Sequence, residues 1–334
     1  MAESADKLLL VSPVFNEAEH LESTARAVAA QTLRPSLWVV VDDGSSDETL
    51  AVARRLQAEL DFMLIVEAPQ GSGPGVDNLA LAREAAAFNF GLKTAGWRRF
   101  EFVGKLDGDV ELPTEWFETL VERFQAQPRL GLAGGRLIEA DAEGWKEIPI
   151  PSHHVHGAVK LFRRECLEAI GGIPERLAWD TIDETYARMR GFETHSFPEL
   201  VARHHRAWGS ADGRLRGRAR HGECAWILHY GFAWVLLRSF KVARVSPRGV
   251  SGLAFLYGYL RGAARRVPRV ADPDFRRFTR HELHARMLRS LRGGRAKFSG
   301  RKQRTPALVD LSATFLPGGP QDDLERKGNA SNRQ

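Results

Sequence analysis

The chain has 334 residues, 43% hydrophobic and 27% charged, with Cys166 and Cys224 as its only cysteines; this is a globular composition that excludes a disulfide scaffold, a fibre and a wholly disordered chain. The net charge of +6 hides an acidic first part, −13 over residues 1–202, and a basic stretch, +20 over residues 203–304. No run reaches the ~20 uninterrupted apolar residues that a spanning helix needs, and no secretory leader is visible behind Met1.

In chain order, residues 8–14 form a compact apolar run bounded by Pro13 and Asn16, the pattern of a buried strand. Over 17–31, Leu21, Ala25 and Val28 recur at helical spacing, with acidic residues in the first turn. A strand over 37–41 stops at Asp42-Asp43-Gly44-Ser45-Ser46, and a helix over 48–60 follows. Next come a strand (62–66), a glycine-rich mobile loop (70–75) and a long helix (76–94). The strand at 100–106 ends in Asp107-Gly108-Asp109, before a helix (114–127) and a strand (131–138). Beyond 140 the alternation weakens to a strand at 158–162 and helices at 164–170 and 181–190. Arg214, Arg216, Arg218 and Arg220 alternate, which predicts an exposed loop or extended stretch rather than one helix face. The order predicts three regions: an α/β domain over 1–210, a basic helical region over 211–292, and a disordered tail over 293–334.

Repeated strand–helix–strand units of this length build a mostly parallel, Rossmann-like sheet with helices on both faces. Ligands of such sheets sit outside the carboxyl ends of the strands. Both acidic clusters, Asp42/Asp43 and Asp107/Asp109, fall at such ends.

The chemistry of each cluster follows from its residue types. In Asp107-Gly108-Asp109 two carboxylates flank a residue without a side chain, so both can reach one hard cation, Mg²⁺ or Mn²⁺, while the glycine leaves room for a phosphate. In Asp42-Asp43-Gly44-Ser45-Ser46-Asp47 a carboxylate can accept from a base N–H or a ribose hydroxyl; equally, Ser46 and Asp47 can cap the following helix. Pro13-Val14-Phe15-Asn16-Glu17 offers an aromatic face and an amide, or a plain strand-to-helix turn.

Together these segments resemble family 2 glycosyltransferases of the GT-A fold, over residues 7–205. Pro13-Val14-Phe15-Asn16-Glu17 is similar to that family's opening motif, residues 41–47 to its nucleotide-contacting segment, and Asp107-Gly108-Asp109 to its D-x-D. Arg163-Arg164 with Ile170-Gly171-Gly172-Ile173 is similar to the segment before its catalytic acidic pair. Trp179-Asp180-Thr181-Ile182-Asp183-Glu184 stands where the family shows Glu-Asp, here with the order Asp-Glu after Ile182. The resemblance implies an inverting transfer from a nucleoside-diphosphate sugar, a UDP-sugar first, to a saccharide or lipid-linked acceptor, in envelope or extracellular polysaccharide synthesis. It implies a carboxylate base, with Asp183 first in order, Asp180 second and Glu184 third. Asp109 is the direct metal ligand it implies, with Asp107 beside it. The implied donor-binding set is Pro13, Phe15, Asn16, Glu17, Asp42, Asp43, Gly44, Lys105 and Asp107. One of His204, His205 and Arg206 joins it on the diphosphate side, His205 and Arg206 being favoured.

Two other classes compete. A nucleotidyltransferase would show a glycine-rich, basic signature after the first strand, and Phe15-Asn16-Glu17 is not one. A nucleic-acid binder would use the basic half, but no stacking or groove-reading motif accompanies it, so nucleic acid is not an expected partner. Over 222–292, Trp226, Tyr230, Phe232, Trp234, Phe240, Phe255, Tyr257 and Tyr259 interleave with arginines, which suits either an anionic membrane surface or a core between helices. The expected location is the cytoplasm, including the inner face of the cell membrane.

Overall fold

The computed structural model describes residues 6–69, 77–78, 81–141, 144–206, 213–245 and 247–296. The loop expected at 70–75 and most of the tail expected from 293 lie outside these residues. The first half alternates β1 (Asp6–Val14), α1 (Leu21–Ala29), β2 (Leu37–Asp42), α2 (Thr49–Glu59), β3 (Met63–Glu67), α3 (Arg83–Ala95), β4 (Phe100–Leu106), β5 (Val110–Glu111) and α4 (Trp116–Ala126). The chain continues through β6 (Leu130–Asp141), β7 (Gly144–Glu147), β8 (Val159–Arg163), α5 (Arg164–Ile170), α6 (Trp179–Met189) and β9 (Glu193–His204). Four helices close it: α7 (Arg214–Ile227), α8 (Phe232–Val242), α9 (Val250–Ala264) and α10 (Pro273–Ala296).

The sheet order is β3-β2-β1-β4-β8-β6-β9-β5, with β7 on β6. Strands β3, β2, β1 and β4 are parallel, as expected of helical crossovers. Beyond β4 the sheet is mixed: β8 runs antiparallel to β4 and β6, and β9 parallel to β6. Alternation along β1 explains the layers. Leu8 and Leu10 join the core under α1, α2 and α4, whereas Leu9 and Val11 join the core under α3. Full burial of side chains such as Phe88, Phe102 and Trp38 contributes roughly 2 kcal/mol each. Pro13 is tolerated in this central strand because the ladder to β4 ends at Val11–Lys105, before it.

Three features differ from the sequence reading. Strand β9 occupies a stretch that carried no strand expectation; its sheet register slips where Gly135/Arg136 face the segment around Pro198. The arginine alternation at 214–220 lies in helix α7, not in an extended stretch. Helix α10 continues to Ala296, past the expected start of the tail. The closing helices share a core with the sheet domain, since Ala178, just before α6, and Ile182 of α6 pack with Ile227, Val270 and Phe275.

Candidate functional site

The carboxyl ends of β1, β2 and β4 meet at one edge, as parallel pairing dictates. Asn16, just after β1, adopts a left-handed backbone (φ 55°), which an asparagine tolerates better than most residues. Its Oδ1 accepts from the Ser46 N–H at 2.8 Å, and its own N–H donates to Ser45 Oγ at 3.0 Å. The Glu17 N–H donates to Thr49 Oγ1 at 2.7 Å, so the turns after β1 and β2 are stitched together. Asp42 is buried and accepts from the Gly44 and Ser45 N–H groups at 3.3 Å. Asp43 is also buried and pairs with Arg83 of α3. Pro13 is buried in β1, Phe15 is half-buried, and Gly44 is exposed at φ +85°.

The turn after β4 is built around Gly108. A Cβ there would lie 2.8 Å from Val14 Cγ1 and 3.1 Å from Glu17 Cγ, so the turn packs directly on the end of β1. Asp107 is half-buried, and its N–H donates to Ala158 O at 3.0 Å. Asp109 is 4% exposed. Strand β5 then pairs Val110 with His204 of β9, which delivers an imidazole to the same place. His204 Nε2 stands 3.3 Å from Asp109 Oδ1. Asp107, Asp109 and His204 offer ligand atoms all within 4.8 Å of one another.

This donor set passes the chemical test for a hard or borderline divalent cation, with two carboxylate oxygens and one imidazole nitrogen on a partly buried floor. Burial opposes protonation of His204, but the close carboxylates of Asp109 and Glu139, at 3.3 and 3.4 Å, outweigh it and raise the imidazole to about 10. Burial likewise acts to raise Asp109, and the His204 contact overrides it and holds the carboxyl below its ordinary range. Ligation would therefore release the His204 proton.

Arg206 follows two residues later. Its Nη2 donates to Glu17 Oε2 at 2.7 Å and to Asn16 O at 3.0 Å, and its Nε lies 4.0 Å from Asp109 Oδ2. Burial first, then Asp109, push the Glu17 carboxyl up to about 8 against the pull of Arg206.

Two expected donor contacts are corrected. His205 turns away from the cluster: its Nε2 meets Glu111 Oε1 at 2.8 Å, and its ring stacks on His20 at 5.0 Å. Alternation in β9 sends neighbouring residues to opposite faces, so His204 and not His205 faces the carboxylates. Lys105 is 1% exposed and held by Asp107 and Glu84, so it fixes Asp107 from below and has no open face toward a donor.

The acidic residues of α6 separate by burial. Asp183 is fully buried, with both carboxylate oxygens 2.8 Å from Lys160 Nζ. Burial raises its carboxyl to about 7, Lys160 opposing and Glu184 adding to the rise. Glu184, 1% exposed, accepts from the Val155 N–H at 2.7 Å and meets His154 Nδ1 at 3.0 Å. Burial would raise Glu184, but His154 and then Lys160 pull it down to about 2. Asp180, in the first turn of α6, is half-buried and keeps solvent contact. Access thus runs against the expected order with Asp183 first: Asp183 is sealed and ion-paired, whereas Asp180 stays open to solvent.

Trp179 ties α6 to the cation cluster. The Lys105 and Lys160 ammonium groups each lie 5.2 Å from its ring centroid, and Gly157 passes beneath it, 3.1 Å from a built Cβ to the indole. Gly157 also approaches Asp180 Cβ at 3.7 Å, and the next residue, Ala158, receives the Asp107 N–H. Asp180 and Asp107 thus flank one short segment.

The family Glycosyl transferase family 2 matches residues 10–165. Glycosyltransferase AglE of Haloferax volcanii is 29% identical over 186 residues, which cover 50% of this chain and 56% of that protein. Succinoglycan biosynthesis protein ExoA of Rhizobium meliloti is 27% identical over 187 residues, covering 50% of this chain and 53% of that one. The chain thus spans about half the length of these curated relatives. A solved structure of GalNAc-T7 with UDP, GalNAc and Mn²⁺ superposes with a TM-score of 0.54 at 13% identity, over 85% of this chain and 58% of that one, a likeness of fold. The fold is the GT-A arrangement, and residues 10–165 of this chain match glycosyltransferase family 2.

Proposed function

We propose that the protein transfers a sugar from a nucleoside diphosphate to an acceptor hydroxyl by a single, inverting displacement, in the assembly of an envelope or extracellular polysaccharide. The observation that carries this reading is the convergence of Asp107, Asp109 and His204 within 4.8 Å, with Arg206 beside them and Asp180 across the Gly157–Ala158 segment. The turns after β1 and β2, with Phe15, Asn16, Asp42, Asp43 and Gly44, form the nucleoside end of this edge. A UDP-sugar is the first candidate donor, and UDP is bound by the GalNAc-T7 structure of the same fold.

A divalent cation, Mg²⁺ or Mn²⁺, held by Asp107, Asp109 and His204, would supply positive charge to the departing diphosphate. Arg206 adds a fixed cation on the same side, oriented by Glu17. Asp180 accepts the acceptor hydroxyl's proton as its oxygen attacks the anomeric carbon, the donor's glycosyl–phosphate bond breaks, and the nucleoside diphosphate leaves. Asp183 and Glu184 hold the base of α6 in place through Lys160 and His154.

Transfer and donor hydrolysis by the intact chain, measured with UDP-sugars and Mn²⁺, test the assignment. Asp180→Asn should retain the thermal shift produced by UDP with Mn²⁺ and lose transfer by about 100-fold or more. Asp109→Asn should lose the cation-dependent shift itself. Full transfer by Asp180→Asn would overturn the base; a normal cation-dependent shift in Asp109→Asn would overturn the cation site.

A further inference from the structure

Helices α8 and α9 pack together with their small residues facing inward. Helix α9 buries Ser251, Gly252, Gly258 and Gly262 along with Phe255 and Tyr259. A Cβ on Gly252 would lie 2.5 Å from Ser239 O of α8, and one on Gly258 1.8 Å from Ala219 O of α7. Other large apolar residues point the other way. Val250, Leu253, Tyr257 and Leu260, a stripe at helical spacing, are exposed, with Leu253 at 67% and Tyr257 at 61%. On α8, Leu237 is 57% exposed and Phe240 70%, while Val235, Ser239 and Val242 face inward.

A helix facing water carries polar residues on its outer side. Small residues at the helix contact and large apolar residues outside are the arrangement of helices packed in apolar surroundings. Something apolar covers this face, and charge identifies it. Residues 224–271 contain eight Lys and Arg and no Asp or Glu. Arg238 and Lys241 of α8, Arg244 just after it, Arg248 before α9, and Arg265 and Arg266 after α9 are exposed. Neither helix can cross a bilayer: at 11 and 15 residues they reach about 16 and 22 Å, against ~30 Å of hydrocarbon.

We infer that the α8–α9 pair is a monotopic membrane anchor, which lays Leu237, Phe240, Leu253, Tyr257 and Leu260 into the headgroup–acyl boundary of an anionic bilayer. The flanking arginines and lysine meet the lipid phosphates, and the helices lie in the plane of the surface. A protein partner or a second copy would equally cover apolar side chains, but neither explains eight cations over residues 224–271 with no acid among them. The assignment is independent of the transfer chemistry and holds for any donor.

Flotation of the full chain with vesicles of phosphatidylcholine containing about 30% phosphatidylglycerol, and of phosphatidylcholine alone, tests it. The chain should float with the anionic vesicles and far less with the neutral ones. The double variant Leu253→Asp, Tyr257→Asp should lose binding by about tenfold or more, with its thermal melt and UDP–Mn²⁺ shift intact. Both positions point outward, so the fold does not depend on them. Phe240→Ser on the other helix should give a smaller loss in the same direction. Absence of flotation with anionic vesicles would overturn the anchor, as would undiminished binding by the double variant. Light scattering that shows a dimer, converted to monomer by these substitutions in a chain that ignores vesicles, would overturn it in favour of a second copy. The UDP–Mn²⁺ shift separates these failures from failure of the donor site.

Discussion

Lys160 sits in a strand of otherwise apolar character, fully buried between two acids of α6. A buried ammonium is stable only with close partners, so removal of one side should cost about 3–5 kcal/mol. Lys160→Met and Asp183→Asn should each lower the melting temperature markedly, whereas Asp180→Asn should move it little. Equal melts for all three would show that the cluster is not structural. The acids also predict a pH profile. Glu184 drops from an ordinary 4.5 to about 2, so its contribution is complete above pH 4.5 and fades as pH falls toward 2. Asp183 shifts the other way, from 3.8 to about 7, so its contribution is present below pH 3.8 and is lost as pH rises through 7. Glu184→Gln should therefore flatten the loss of melting temperature between pH 4.5 and 2.5; an unchanged slope there would place the acid sensitivity elsewhere. A lysine amid Val159, Leu161 and Phe162 is a readable signal for a buried acid nearby. It marks Asp183 as that acid and so favours Asp180 as the proposed base.

At the scale of elements, legibility followed local pattern. Strands β1, β2 and β4 were readable because each is a short apolar run stopped by a turn. Strand β9 was not: Glu193-Thr194-His195-Ser196-Phe197-Pro198-Glu199 has polar residues and a proline where the strand slips register. Its identity comes from long-range pairing with β6, which no local window contains. That strand carries His204, so the third member of the cation cluster was legible only as one of three adjacent basic residues. Helix α7 was missed for a related reason. Alternating arginines suggest an extended chain, yet Gly217, Gly222 and Ala225 form a buried strip on one side, which lets α9 approach closely. A Cβ on Gly222 would lie 1.9 Å from Phe255 O. Gly222→Ala or Gly258→Ala should thus destabilise the chain by about 2 kcal/mol or more, read by chemical denaturation. Gly231→Ala, where a Cβ meets nothing within 4 Å, is the control and should stay within about 0.5 kcal/mol.

Over the whole molecule, the sequence divides by charge, whereas the packing does not divide at the same place. The acidic part supplies the clustered carboxylates Asp107 and Asp109, but Ala178 and Ile182 share a core with Ile227 and Phe275 of the basic part. Arg188 of α6 donates to Glu282 of α10 at 3.3 Å, a second tie across that boundary. Composition alone gives the second part its excess of cations; which helix face carries the exposed apolar stripe depends instead on which side the glycines bury.

The pairing of Val110 with His204 has a temporal consequence. During synthesis, Asp107 and Asp109 leave the ribosome almost a hundred residues before the imidazole that completes their cluster. A nascent chain released at residue 200 would own both carboxylates and a formed β1–β4 ladder while remaining unable to grip a cation through nitrogen. A cation site built on this imidazole would thus be completed late, only after the polypeptide has closed β9.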